Sequence, residues 1–172
     1  DGYKVQNDGY MTPETSDFAD QKHVYDTVGA AVLDNALKGY HCTLFAYGQT
    51  GSGKSYSMVG FGSNRGIVPQ VCEKMFEVVR RETSANKSFE VSISMLEIYN
   101  ERIQDLLISV GDRPQGGLKI RESRTLGVYV EGLTKHPVDS YRSIESKMAD
   151  GFRSRTIAAT QMNATSSRAH TI

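Results

Sequence analysis

Val24, Val28, Val32 and Ala36 recur at every fourth position, with Tyr25, Leu33 and Leu37 beside them, and this period predicts a helix from Asp20 to a glycine stop at Gly39. The short apolar run Cys42-Thr43-Leu44-Phe45-Ala46-Tyr47 is bounded by turn residues and predicts a buried strand. Residues 60–66 carry three glycines in seven and read as a loop; Pro69 then opens a helix whose stripe is Val71, Cys72, Met75, Phe76, Val78 and Val79. Phe89, Val91, Ile93 and Met95 alternate with Glu90, Ser92 and Ser94, a half-buried strand continuing towards Tyr99. Ile103, Leu106 and Leu107 suggest a helical turn, and 118–122 with 128–131 a hairpin. Ser140 caps a last helix carrying Tyr141, Ile144, Met148 and Phe152, while residues 1–17 have no period and read as an edge segment or surface loop. Helices alternating with strands place the chain in the α/β class.

Composition bounds the reading without deciding it. A chain of 172 residues fits one ordinary domain, and 38% hydrophobic with 23% charged residues is ordinary for a globular protein. No run approaches the roughly 18 apolar residues of a membrane helix, and the N-terminus has no signal pattern. Twenty basic against 20 acidic residues give zero net charge, which argues against nucleic-acid binding through bulk charge. Cys42 and Cys72 lie in apolar runs without metal spacing and read as buried free thiols. His23, His41, His136 and His170 are scattered, and Glu97 with Glu101 read as structural. Arg121, Arg124, Arg153 and Arg155 read as a solvated face.

The chemistry begins directly after the 42–47 run. Gly48-Gln49-Thr50-Gly51-Ser52-Gly53-Lys54-Ser55 matches the G-x-x-x-x-G-K-[ST] phosphate loop at every specified position. Glycines let the backbone curl so that successive N–H groups form an anion nest. Lys54 offers a compact positive charge to the β and γ phosphates, and the Ser55 hydroxyl a ligand to Mg²⁺. Chance gives such a match on the order of once in a hundred chains of this length. Gly60 and Gly62 break the helix after Lys54 within two turns, so it resumes only near Pro69. A second cluster, Asn163-Ala164-Thr165-Ser166-Ser167-Arg168-Ala169-His170, offers hydroxyls, an amide and a guanidinium suited to contacting a γ-phosphate and its metal.

On these residues the sequence resembles the kinesin motor domain. The resemblance rests on Phe45 through Met58, on Leu96-Glu97-Ile98-Tyr99-Asn100-Glu101, and on Asn163 to His170, which is similar to the family's first nucleotide-sensing switch. Stretches 118–122 and 155–160 look most like the third, vesicle-transporting kinesin family.

The resemblance implies a P-loop NTPase fold with a mixed, mainly parallel central sheet flanked by helices, and it covers nearly the whole chain. It implies that Gly48, Gln49, Thr50, Gly51, Ser52, Gly53, Lys54 and Ser55 wrap the phosphates of ATP or ADP and that Tyr56 stacks beside the adenine. It further implies that Asn163 and Ser166 sense the γ-phosphate and order the lytic water, that Ser167 joins Ser55 at Mg²⁺, and that Arg168 bridges to a second switch.

Ala169 departs from the family's usual Ser, and Ala164 from its usual polar residue. The Arg-x-Arg-Pro adenine motif, the second switch Asp-Leu-Ala-Gly-x-Glu, the main microtubule-binding helices and the neck are not in the sequence. The expectation is therefore a partial motor domain over 1–172, with its sheet truncated and strands missing or exposed at one edge. The implied function is an ATP-hydrolysing, microtubule-stimulated motor of the cytoplasmic cytoskeleton, with this segment alone not competent for turnover. Its partner is the microtubule, without nucleic acid or direct membrane contact; cargo or a dimer partner would engage other regions. The alternative is a microtubule-associated binding protein with a degenerate, non-cycling head.

Overall fold

Asp20 opens the first helix by accepting a hydrogen bond from the His23 amide at 2.7 Å, an N-cap that satisfies one of the helix's free donors. The computed structural model describes residues 2–162 and 169–172, with side chains through residue 156 and again from 169. It resolves into two compact units, Asp1–Ser88 and Phe89–Ile172.

In the first unit a hairpin, β1 (Tyr3–Val5) with β2 (Met11–Pro13), precedes the capped helix. That helix is α1 (Gln21–Val24), a π-helical turn (Tyr25–Gly29) and α2 (Ala30–Leu37), so the predicted helix carries one widened turn. The widening falls at a crowded point: a Cβ on Gly29 would lie 2.7 Å from the Tyr25 ring and 3.1 Å from Ile67. A short helix α3 (Lys54–Met58) leads into β3 (Gly60–Phe61) and β4 (Asn64–Arg65), then α4 (Ile67–Glu82). The expected loop at 60–66 is thus a small antiparallel hairpin. Leu33, Ile67 and Phe76 form the buried apolar centre of this unit.

In the second unit β5 (Ser92–Ile93) pairs with β10 (His136–Pro137). A separate sheet of three antiparallel strands has the order β11 (Ala169–Thr171), β6 (Leu96–Tyr99), β7 (Arg102–Asp105). The alternating run expected from Phe89 to Tyr99 is therefore two strands, broken at Ser94 and Met95. Residues 103–107, expected as a helical turn, are strand and strand end, because pairing with β6 overrides an ambiguous apolar spacing. The predicted hairpin is present as β8 (Lys119–Ser123) and β9 (Gly127–Glu131). Helix α5 (Tyr141–Met162) starts at Ser140, whose hydroxyl accepts from the Ser143 amide at 3.3 Å. Its Ile144 is buried, as are Met95, Leu96, Ile103, Leu106 and Val138.

The α/β class holds, but every strand pairing among the described residues is antiparallel. A parallel pair needs a partner brought in by a crossover. The run 42–47, expected to be a buried strand, has no strand beside it among those residues; Phe45 is 73% and Tyr47 87% exposed. Cys42 is exposed with it, against the expected buried thiol, while Cys72 on α4 is partly buried.

Candidate functional site

The loop from Gly48 to Lys54 curls through three glycines at positive φ: Gly48 (147°), Gly51 (83°) and Gly53 (89°). At Gly48 a Cβ would meet the Ser52 hydroxyl at 2.6 Å, so the tight turn requires glycine there. The Ser52 amide closes it on the Gln49 carbonyl at 3.2 Å. Lys54 leaves the first residue of α3 and folds its ammonium back over the loop, donating to the carbonyls of Gly48 at 2.7 Å and Gln49 at 2.8 Å. The amides of Gly51, Gly53, Lys54 and Ser55 donate to no acceptor among the described residues. Free donors around a positive charge are what a polyphosphate requires, and the Ser55 hydroxyl, exposed one residue on, suits a divalent cation held against it. Among the described residues no group of three or more His, Cys, Asp or Glu could hold a metal by itself.

Tyr56 stands on the same short helix. Its ring lies 5.4 Å from that of Phe61, its hydroxyl reaches the Met11 sulfur at 3.7 Å, and burial raises its pKa above the ordinary phenol value. A polar network holds α3 from behind. Gln21, 3% exposed, donates through Nε2 to the carbonyls of Tyr56 at 2.7 Å and Asn64 at 3.2 Å. Asn64, 2% exposed, accepts from the Met11 amide at 2.9 Å and donates to the Gly9 carbonyl at 2.8 Å. Gln70 donates to the carbonyls of Gln21 at 3.1 Å and Arg65 at 2.9 Å. No period or motif marks these three amides.

The predicted switch residues Asn163, Ser166, Ser167 and Arg168 lie outside the described residues. Their flanks are described. Strand β11 pairs Ala169 with Tyr99, His170 with Ile98 and Thr171 with Glu97. On α5, Arg155 makes an ion pair with the nearly buried Glu97 at 2.8 Å, so it is not part of a solvated face as expected. Arg113, whose guanidinium is pushed below its ordinary pKa by burial and supported by Glu97 and Asp105, donates to Gln104 at 3.2 Å and to the Ser154 hydroxyl. Asp105 has no exposed surface and accepts three hydrogen bonds, from the Leu107 amide and from the amide and hydroxyl of Thr134, at 2.7 to 2.8 Å. A carboxylate inside the run Ile103 to Leu107 was a legible sign of such a buried role.

The kinesin motor domain model matches residues 3–172. The chain is similar to the mouse kinesin-like protein KIF28, 47% identical over 172 residues, covering 99% of this chain and 16% of that protein. Human kinesin-like protein KIF13B is 48% identical over 155 residues, covering 90% of this chain and 8% of that protein. Among solved structures, a KIF14 dimer described as two-heads-bound, with AMP-PNP and in complex with a microtubule, has a TM-score of 0.77 at 44% identity, covering 90% of this chain and 43% of that one. A fast kinesin has a TM-score of 0.80 at 34% identity over 99% of this chain and 51% of that one. The chain thus spans about half, or less, of the proteins it matches. With the phosphate-loop motif at 48–55 and a family match along nearly its whole length, the chain belongs to the kinesin motor domain family.

Proposed function

We propose that this chain is the nucleotide-binding part of an ATP-hydrolysing, microtubule-based motor that works in the cytoplasm on the cytoskeleton. The observation that carries the reading is the loop 48–55, whose residues fit the phosphate motif and whose glycines, free amides and folded-back lysine suit a polyphosphate. In this reading residues 49–55 hold the phosphates of ATP or ADP, and Lys54 exchanges its two carbonyl partners for phosphate oxygens. Ser55 and Ser167 take the Mg²⁺, which neutralises the developing phosphate charge when bound. Tyr56, partly exposed beside the loop, flanks the adenine. Asn163 and Ser166 contact the γ-phosphate and order the attacking water, and Arg168 reaches a second switch. The 1–172 segment then serves as the nucleotide half of a larger head, and 118–122 with 155–160 favour the third, vesicle-transporting family.

Phosphoryl transfer of this kind rests on positioning and electrostatics rather than on a covalent step with the protein. An order–disorder change at the switch, driven by the γ-phosphate, would pass nucleotide state to the microtubule-binding surface. Microtubule co-sedimentation of the full-length protein tests the reading: retention should be strong with AMP-PNP and weaker with ADP, and retention indifferent to nucleotide contradicts it. Ala169 and Ala164, where the family carries Ser and a polar residue, lend slight support to a second reading, a non-cycling binder. That reading requires microtubule binding without turnover.

A further inference from the structure

A five-residue helix cannot hold itself together in water, because nucleation costs more than one turn returns. Helix α3 is such a helix, yet it carries Lys54 and Ser55. Its C-terminal carbonyls are the ones a helix leaves without partners. The Tyr56 carbonyl would ordinarily accept from the amide four residues on, at Gly60, but Gly60 has φ +74° and has left the helix. The acceptor is satisfied from outside, by the Gln21 amide at 2.7 Å.

Gln21 is fixed in turn. Its second acceptor is the Asn64 carbonyl, its own carbonyl accepts from Gln70, and Asn64 is bonded on both sides to the hairpin before α1. The chain after α3 returns closely: the Gly66 amide donates to the Val59 carbonyl at 2.9 Å, and a Cβ on Gly66 would lie 2.6 Å from the Met58 backbone. The end of α3 is therefore clamped between α1 and the β3–β4 turn.

We propose that Gln21 is a positioning residue for nucleotide binding: capping α3 from α1, it keeps Lys54 and Ser55 in the geometry that receives phosphates. The inference rests on the phosphate-loop reading above. Without the Gln21 donor, α3 frays from its C-terminal end and the binding-competent loop becomes a minor state, so apparent affinity falls in proportion to its population. Once nucleotide is bound the loop is ordered, and turnover at saturation is unaffected.

The test uses the full-length protein, with N-methylanthraniloyl-ADP and Mg²⁺ for affinity and ATP turnover on microtubules for kcat and KM. Gln21→Met keeps length and removes the donor; Leu33→Ala opens the apolar core under α2, where none of the clamp's hydrogen bonds is made, and controls for lost stability. Gln21→Met should raise the dissociation constant and the ATP KM roughly tenfold, with kcat within about twofold. Leu33→Ala, which lowers the melting temperature, should leave affinity within about twofold. If Gln21→Met does not fold, Gln70→Met, one bond removed, should weaken affinity in the same direction by roughly threefold. Unchanged affinity in the soluble Gln variant, or equal weakening in Leu33→Ala, overturns the inference while the nucleotide reading stands. Failure of the unmutated protein to bind the ADP probe overturns the nucleotide reading and the inference with it.

Discussion

Arg155 on α5 and Glu97 on β6 form an ion pair at 2.8 Å, and Glu97 is also the strand partner of Thr171 on β11. The helix that precedes residues 163–168 and the strand that follows them are thus both tied to Glu97, the helix through its carboxylate and the strand through its backbone. Removing Arg155 takes the hydrogen-bonded partner from a buried carboxylate and leaves it only the charge of Arg113, so Arg155→Ala should destabilise by up to about 3 kcal/mol, and Glu97→Gln, which removes the charge and keeps the shape, by less. Urea unfolding of the two variants checks the order.

The turn between β6 and β7 places Asn100 at φ 48° and Glu101 at φ 61°, the left-handed pair that a two-residue hairpin requires. Asn tolerates this well and Glu does not, so Glu101→Gly should stabilise by up to about 1 kcal/mol, read as a raised thermal midpoint.

Gly60 has φ +74°, and a Cβ there would lie 2.0 Å from the Asn64 carbonyl oxygen. Gly62, at φ +55° in the same hairpin, faces open space. Gly62→Ala should cost only the backbone strain of about 1 kcal/mol, whereas Gly60→Ala should cost several-fold more because backbone must also move. Equal losses in the two variants would count against the hairpin geometry.

Cys72 is the more protected thiol, since burial raises its pKa above the ordinary thiol value, whereas Cys42 is exposed. The folded state therefore holds the Cys72 proton more tightly than the unfolded chain does. This contributes no loss below the unfolded thiol pKa, and stability declines as pH rises above it, from about pH 8.5. At pH 7.5 alkylation should modify Cys42 first and Cys72 only slowly, with the difference abolished in urea.

The phosphate-loop motif was legible because its chemistry has fixed spacing, with glycines, Lys54 and Ser55 at set intervals, and the backbone takes positive φ at Gly48, Gly51 and Gly53. Helices α4 and α5 and the β8–β9 hairpin were legible from long periods and turn residues. Residues 103–107 were not, because a short apolar run fits a helical turn or a strand equally and only the partner strand decides. The run 42–47 has the composition of a buried strand, but composition cannot specify a neighbour. Gln21, Asn64 and Gln70 escaped because a single buried amide leaves no periodic trace; what it satisfies is a backbone carbonyl distant in sequence. Arg155 looked like surface charge for the same reason, its partner lying 58 residues away.

The most direct measurement is microtubule-stimulated ATP turnover by the full-length protein and its Lys54→Ala variant. Lys54 supplies the positive charge over the loop, and removing one preorganised electrostatic group costs on the order of 10²–10³ in rate. The unmutated protein should turn over ATP faster on microtubules, and Lys54→Ala should lose turnover by at least about a hundredfold while remaining folded. Turnover in the variant equal to that of the unmutated protein would contradict the assignment of the loop 48–55 as the nucleotide site.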